Sequence, residues 1–244
     1  MNDLDSLIRR VDEDRWLASR FAPAEARAKL IALYAVNYEI ARTAEVVREA
    51  PLGAIRLEWW RSALAELEEG RAPREHPALQ ALAQTQARAA GELRVLAEAH
   101  ALDFDPAPFA VWDDVEAYVD RTAGIVMRLA IDACAPQASE GLSALARSAA
   151  QAWGYAGLLR AAPHWRARGR TPFPREGGGR DEMLVRAQTA YMRATAPAPK
   201  AAFPALGYVA LLPSYLRALH RGEDPPSLLS RQIKLVIAAA QGRV

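Results

Sequence analysis

Residues 33–45 read LYAVNYEIARTAE, and residues 158–174 read LLRAAPHWRARGRTPFP. In the first stretch Leu33, Tyr34, Asn37 and Ala41, with Leu30 before them, recur every three or four positions, the spacing of one helix face. Pro23 suits the first turn of that helix, with Glu25 near its positive end, and Pro51 bounds it. The second stretch closes a helix expected over 140–162. It then passes into a loop, 167–180, that is rich in Arg, Gly and Pro and has no period.

The same spacing continues outward in both directions. Helices are expected over 4–18, 55–69 with Gly70 as its C-cap, 77–100, and 113–132 with Asp113 as its N-cap. Others follow over 181–194, over 201–221 with kinks at Pro204 and Pro213, and from Pro225-Pro226 to about 241. No strand-like alternation or solenoid repeat interrupts them. The expectation is an all-α chain with a single domain over 1–244.

Composition agrees. Of the 244 residues, 51% are hydrophobic and 25% charged, with Ala, Leu and Arg abundant and β-branched residues sparse, which favours helix. A formal charge of +2 implies no polyelectrolyte field, and no nucleic-acid, zinc or dinucleotide motif is present. The one cysteine, Cys134, reads as a small core residue. Residues 1–14 lack the basic region and apolar run expected of a secretory signal, and no run of about 18–20 uncharged apolar residues is found. The expected location is cytoplasmic, with at most a peripheral contact to the inner membrane.

Several groups invite a chemical reading. Arg160, His164, Arg166, Arg168 and Arg170 form a basic run suited either to a phosphate or lipid headgroup or to a solvated loop. Glu116 and Asp120 are an i, i+4 acid pair that equally suits a helix start. Ala123-Gly124 permits close approach of a helix or ligand, and Gly177-Gly178-Gly179 reads as a flexible linker.

In these residues the chain resembles the squalene/phytoene synthase family. The two opening stretches resemble its two aspartate-rich helices, which imply magnesium held against a diphosphate. Tyr34-Ala35-Val36 resembles the lead-in of the first motif, with Asn37 and Tyr38 at its cysteine and arginine places. Ala41 and Arg42 stand at the two aspartates, and Glu45 keeps an acid. Leu159-Arg160 opens the second motif, with Ala161 and Trp165 at its aspartates and Gly169-Arg170 and Phe173-Pro174 closing it. Residues 55–61 (IRLEWWR) and 118–124 (YVDRTAG) resemble further family stretches. Residues 35–41 and 159–164 look most like the family's mitochondrial complex I assembly factors.

The resemblance implies an isoprenoid-synthase-type helical bundle around a central cavity. It implies a ligand pocket at Tyr34, Tyr118, Ala123 and Gly124, and headgroup contacts from Arg160, Arg166, Arg168 and Arg170. No metal or other cofactor is expected. The function implied is a non-catalytic accessory or assembly factor that binds an isoprenoid or lipid. Its expected partners are a respiratory complex or its assembly intermediates. Two alternatives stay open. One is an active prenyl transferase using Mg2+ on Glu39, Glu45, Glu116 or Asp120. The other is a membrane-surface lipid-binding module.

Overall fold

Prolines, glycines and short polar breaks divide residues 2–243, which the computed structural model of the protein describes, into fourteen α-helices. In chain order these are α1 (Asn2–Val11), α2 (Glu13–Ser19), α3 (Ala24–Ala41), α4 (Thr43–Val46), α5 (Ala50–Glu68), α6 (Pro77–Gln86) and α7 (Ala90–Ala99). They continue as α8 (Trp112–Val119), α9 (Ile125–Cys134), α10 (Ser143–Arg166), α11 (Arg180–Ala194), α12 (Phe203–Leu206), α13 (Leu212–Arg221) and α14 (Leu228–Gln241). Among the described residues there is no β-strand, only an isolated bridge between Pro197 and Arg243. The all-α expectation holds.

The helix boundaries differ from those expected at several places. The helix expected over 4–18 breaks at Asp12, whose carboxylate turns onto Arg15 at 2.9 Å. The helix begun at Ala24 stops at Ala41, well short of Pro51, and the chain is extended at Val47. Pro51 then falls in the first turn of α5, where its missing N–H costs nothing. The 77–100 helix divides at Gln86 into α6 and α7. Asp113 does not cap α8. The carboxylate of Asp114 instead accepts from the backbone N–H groups of Ala110 and Val111 at 2.7 and 3.1 Å. A π turn over Asp120–Gly124 joins α8 to α9. α10 runs through Pro163 to Arg166, so His164 and Trp165 stay on its last turn.

The interior is continuous. Leu30 and Leu33 of α3, Trp60 and Leu64 of α5, and Leu93 and Leu96 of α7 are fully buried in it. α10 lies along α11, and both helices bury small residues, including Ala149, Ala152, Ala187 and Ala190. A Cβ at Gly154 would sit 2.5 Å from Val119 Cγ1, so α10 also approaches the start of the π turn closely. Around Tyr34 the core is closely occupied, and its side chain is fully buried. The Arg15 guanidinium fills the space, 5.5 Å from the Tyr34 ring and 5.3 Å from the Tyr208 ring. Cys134 is half-buried, and burial pushes its thiol up to about 12.

The glycine run is a set turn and not a free linker. Gly177 and Gly178 have φ of +88° and +104°, and the Gly177 carbonyl accepts from Trp112 Nε1 at 2.7 Å. The stretch Lys200–Arg221 has the length and apolar character of a membrane span, yet 72% of its apolar 18-residue window is buried within the molecule. It is broken between α12 and α13, as Pro204 and Pro213 led one to expect.

Gly154→Ala tests the close approach. Alanine gains about 1 kcal/mol of helix propensity over glycine. Overpacking against Val119 costs about 1–3 kcal/mol. The expected outcome by circular dichroism is a melting temperature lowered by several degrees; a higher one would show that Val119 yields freely.

Candidate functional site

The C-terminal ends of α3 and α10 converge on a cavity of about 300 Å³. Ala41, Ala44 and Glu45 line one side, and Ala161, His164 and Trp165 the other. Arg168 and Arg170 close it from the following loop, and Asp103 forms part of its wall. The two stretches that opened the sequence analysis therefore meet in space.

Arginines fasten them together. Arg168 donates to the Glu45 carbonyl at 2.8 Å and to His164 Nε2 at 2.7 Å. Arg170 donates to the Asp103 carbonyl at 2.6 Å and to the Arg48 carbonyl at 3.4 Å, and lies 5.1 Å from the Phe104 ring centre. A guanidinium never loses its charge in a protein, so these donors are fixed. Glu39, on α3, is held by Arg42 at 3.2 Å and Arg56 at 3.3 Å. Arg42 also stacks over Tyr38, 5.1 Å from its ring centre.

Behind the cavity lies a polar cluster around Tyr118, whose partners sequence reading missed. Asp103 Oδ1 accepts from the Tyr118 hydroxyl at 2.7 Å, and Asp103 Oδ2 meets His100 Nδ1 at 2.7 Å. All three residues are buried. Burial first, and then the Asp103 charge, hold the Tyr118 hydroxyl well above the ordinary phenol range, so it remains a donor. The sequence singles out Tyr118 through the family likeness, and the i, i+3 spacing of His100 and Asp103, at the end of the helix expected over 77–100, is the remaining signal.

The other predicted site residues disperse. Asn37 is half-buried on α3. Tyr34 belongs to the filled core around Arg15 and does not line this cavity. Ala123 and Gly124 lie in the π turn that α10 packs against. Arg160 sits elsewhere on α10, 4.9 Å from the ring centres of both Trp153 and Tyr215. Arg166 is exposed. The basic run is thus divided: Arg168 and Arg170 reach the cavity, while Arg160 and Arg166 do not line it.

These residues do not fit a magnesium ion, which asks for near-octahedral oxygen ligands at about 2.0–2.1 Å. Ala41 and Ala161 offer no side-chain oxygen, and Trp165 offers none. Glu39 is engaged by two arginines and both Asp103 oxygens are engaged, which leaves Glu45 as a single lining carboxylate, too few for such a site. Glu116 accepts from Gln151 at 2.6 Å, and Asp120 lies 3.9 Å from Arg147, both at the α8 end of the π turn. Among the described residues no group of three or more His, Cys, Asp or Glu is placed to hold a metal.

A second, mainly apolar groove of about 820 Å³ runs between α5 and α7, lined by Ile55, Leu57, Ala97, Ala101 and Phe104. Phe104 separates it from the polar cavity, with Arg170 stacked on its ring. Gly53 makes room for that ring, since a Cβ there would lie 2.1 Å from it.

The profile of the squalene/phytoene synthase family matches residues 8–186, and the chain belongs to that family. Its relatives include NADH dehydrogenase (ubiquinone) complex I, assembly factor 6. The Homo sapiens protein is 33% identical over 61 residues, 25% of this chain and 18% of that protein. The Mus musculus protein is 23% identical over a 262-residue alignment, 95% of this chain and 78% of that protein. Among solved structures, a dehydrosqualene synthase in complex with ligand superposes with a TM-score of 0.77 at 14% identity, covering 98% of this chain and 95% of that one. Squalene synthase HpnC from Alicyclobacillus acidocaldarius gives 0.62 at 19% identity, covering 99% and 93%. At these identities the superpositions establish the fold: the all-helical architecture of those synthases.

Tyr118→Phe keeps the ring and removes one donor from buried Asp103. Leaving a buried acceptor short of a partner costs about 1–3 kcal/mol. Urea unfolding is expected to show that loss with an unchanged m-value; full stability would mean that water replaces the hydroxyl.

Proposed function

We propose that this chain is a non-catalytic accessory protein for assembly of a respiratory NADH dehydrogenase complex. In this reading its motif cavity holds the anionic head of an isoprenoid or lipid without metal. The observation that carries it is the pairing of Ala41 with Ala161 and Trp165 across a cavity fastened by Arg168 and Arg170. A prenyl transferase needs ionised oxygens there to hold magnesium against the leaving diphosphate. Here the nearby Glu39 is already neutralised by Arg42 and Arg56.

The cavity's cations suit an anionic head, and the adjoining α5–α7 groove suits an apolar tail. The assembly role rests on the named relatives, and the implied partners are assembly intermediates of the complex. The matching place of work is the cytoplasm, at the membrane surface.

Purified protein incubated with farnesyl or geranylgeranyl diphosphate and magnesium tests the reading. No diphosphate is expected to be released, and calorimetry is expected to record binding heat that EDTA leaves unchanged. Arg168→Gln should weaken binding about tenfold or more, the loss of one charge-assisted hydrogen bond. Sustained diphosphate release would overturn the proposal and establish a working transferase. Absence of binding would remove the ligand from it and leave the assembly role.

A further inference from the structure

The outward face of α14 reverses the usual pattern of a surface helix. Leu229, Ile233, Val236 and Ile237 are 66%, 51%, 59% and 49% exposed. They recur at helical spacing and form one continuous apolar row, which exposed Ala240 extends. Scattered exposed apolar residues are ordinary, whereas an unbroken row marks a contact surface.

Toward the body of the protein α14 buries only Leu235 and Ala238, against Gly207–Leu211 and α2. Its firmest anchor is ionic. Arg231 donates to Asp14 Oδ1 at 2.7 Å and to Glu13 Oε2 at 2.6 Å, while Asp14 also accepts from the Tyr215 hydroxyl at 2.6 Å. The helix is therefore held in place with its larger apolar side chains turned to solvent.

Charge distinguishes the possible occupants. α14 contains no acidic residue. Lys234 stands beside the apolar row, bonded to Ser214 Oγ, and Arg243 follows the helix in an exposed position. Glu223 and Asp224 precede the helix, with Glu223 3.6 Å from Arg221. A helix with an apolar row and only cationic charges matches an anionic bilayer surface. Apolar side chains enter the acyl boundary while lysine and arginine meet the headgroups. A second copy would bring Lys234 and Arg243 toward their own kind, with no carboxylate on either α14 to pair with them.

We propose that α14 docks the protein onto an anionic lipid surface through Leu229, Ile233, Val236 and Ile237. The membrane contact then lies on α14, apart from the motif cavity, so the proposed function neither requires it nor falls with it.

Co-sedimentation with vesicles tests the proposal. One set is phosphatidylcholine mixed with phosphatidylglycerol, the other phosphatidylcholine alone. The full chain is expected to sediment with the mixed vesicles and to stay in solution with the neutral ones. Ile233→Glu with Val236→Glu should lower partitioning at least about tenfold. Lys234→Gln should lower it about fivefold, the effect of one basic residue near such a surface. The double variant is expected to keep the wild-type melting temperature because both side chains point outward. Leu229→Gln serves the same purpose should that variant melt early.

Wild-type protein that ignores both vesicle sets would overturn the proposal, as would a folded double variant that binds normally. Loss of binding in Arg166→Glu with Arg168→Glu, with the α14 variants unaffected, would move the contact to the arginine loop. A vesicle-free dimer that Ile233→Glu with Val236→Glu dissociates would give the row to a second copy; either result refutes the lipid assignment.

Discussion

Arginine-to-carbonyl hydrogen bonds across the α3–α10 gap set the character of this protein. Arg168 reaches the Glu45 carbonyl and Arg170 the Asp103 carbonyl, so the loop after α10 is tied to α4, just beyond α3, and to the turn after α7. Fixed positive charge thereby borders the place where the two motif stretches face each other. A carbonyl oxygen is a neutral acceptor, so these bonds leave the guanidinium charge uncancelled and available to an anion.

The acids nearby follow the same logic. Glu39 is bracketed by Arg42 and Arg56, and Asp103 by Tyr118 and His100. Buried or half-buried carboxylates left unpaired would be expensive, and each has found partners within the protein. Gly53 and Phe104 complete the arrangement by dividing polar cavity from apolar groove. The result is a polar cavity beside an apolar groove, on a fold shared with known prenyl synthases.

Much of the fold could be read in the sequence because helical spacing, prolines and glycines act locally. Gly70 has φ of +78° just beyond α5, and Pro204 and Pro213 fall where the 201–221 stretch is broken. The breaks at Asp12, Arg42 and Gln86 were not legible. No proline or glycine marks them; the Asp12–Arg15 and Glu39–Arg42 pairs there span only three residues, while the Gln86 side chain donates to the distant Lys29 carbonyl at 3.4 Å. Pro163 misled in the opposite sense, since α10 continues through it and carries Trp165 into the cavity wall.

The site was legible only through the family likeness. Spacing within one segment says nothing of which distant segment it will meet, and Asp103 gains its meaning from Tyr118 and Arg170, far along the chain. The α14 row escaped for a related reason. Periodicity identifies an amphipathic helix, but only the anchoring of Arg231 to Glu13 and Asp14 decides which face turns outward.

The central claim is that the meeting place of α3 and α10 works without a divalent metal. Equilibrium dialysis of manganese against the protein, with inorganic diphosphate on both sides, tests it most directly. The account predicts that manganese on the protein side rises no further than the bound diphosphate accounts for and is the same in Glu39→Gln with Glu45→Gln. Stoichiometric retention of manganese by the protein, lost in Glu39→Gln with Glu45→Gln, would contradict it.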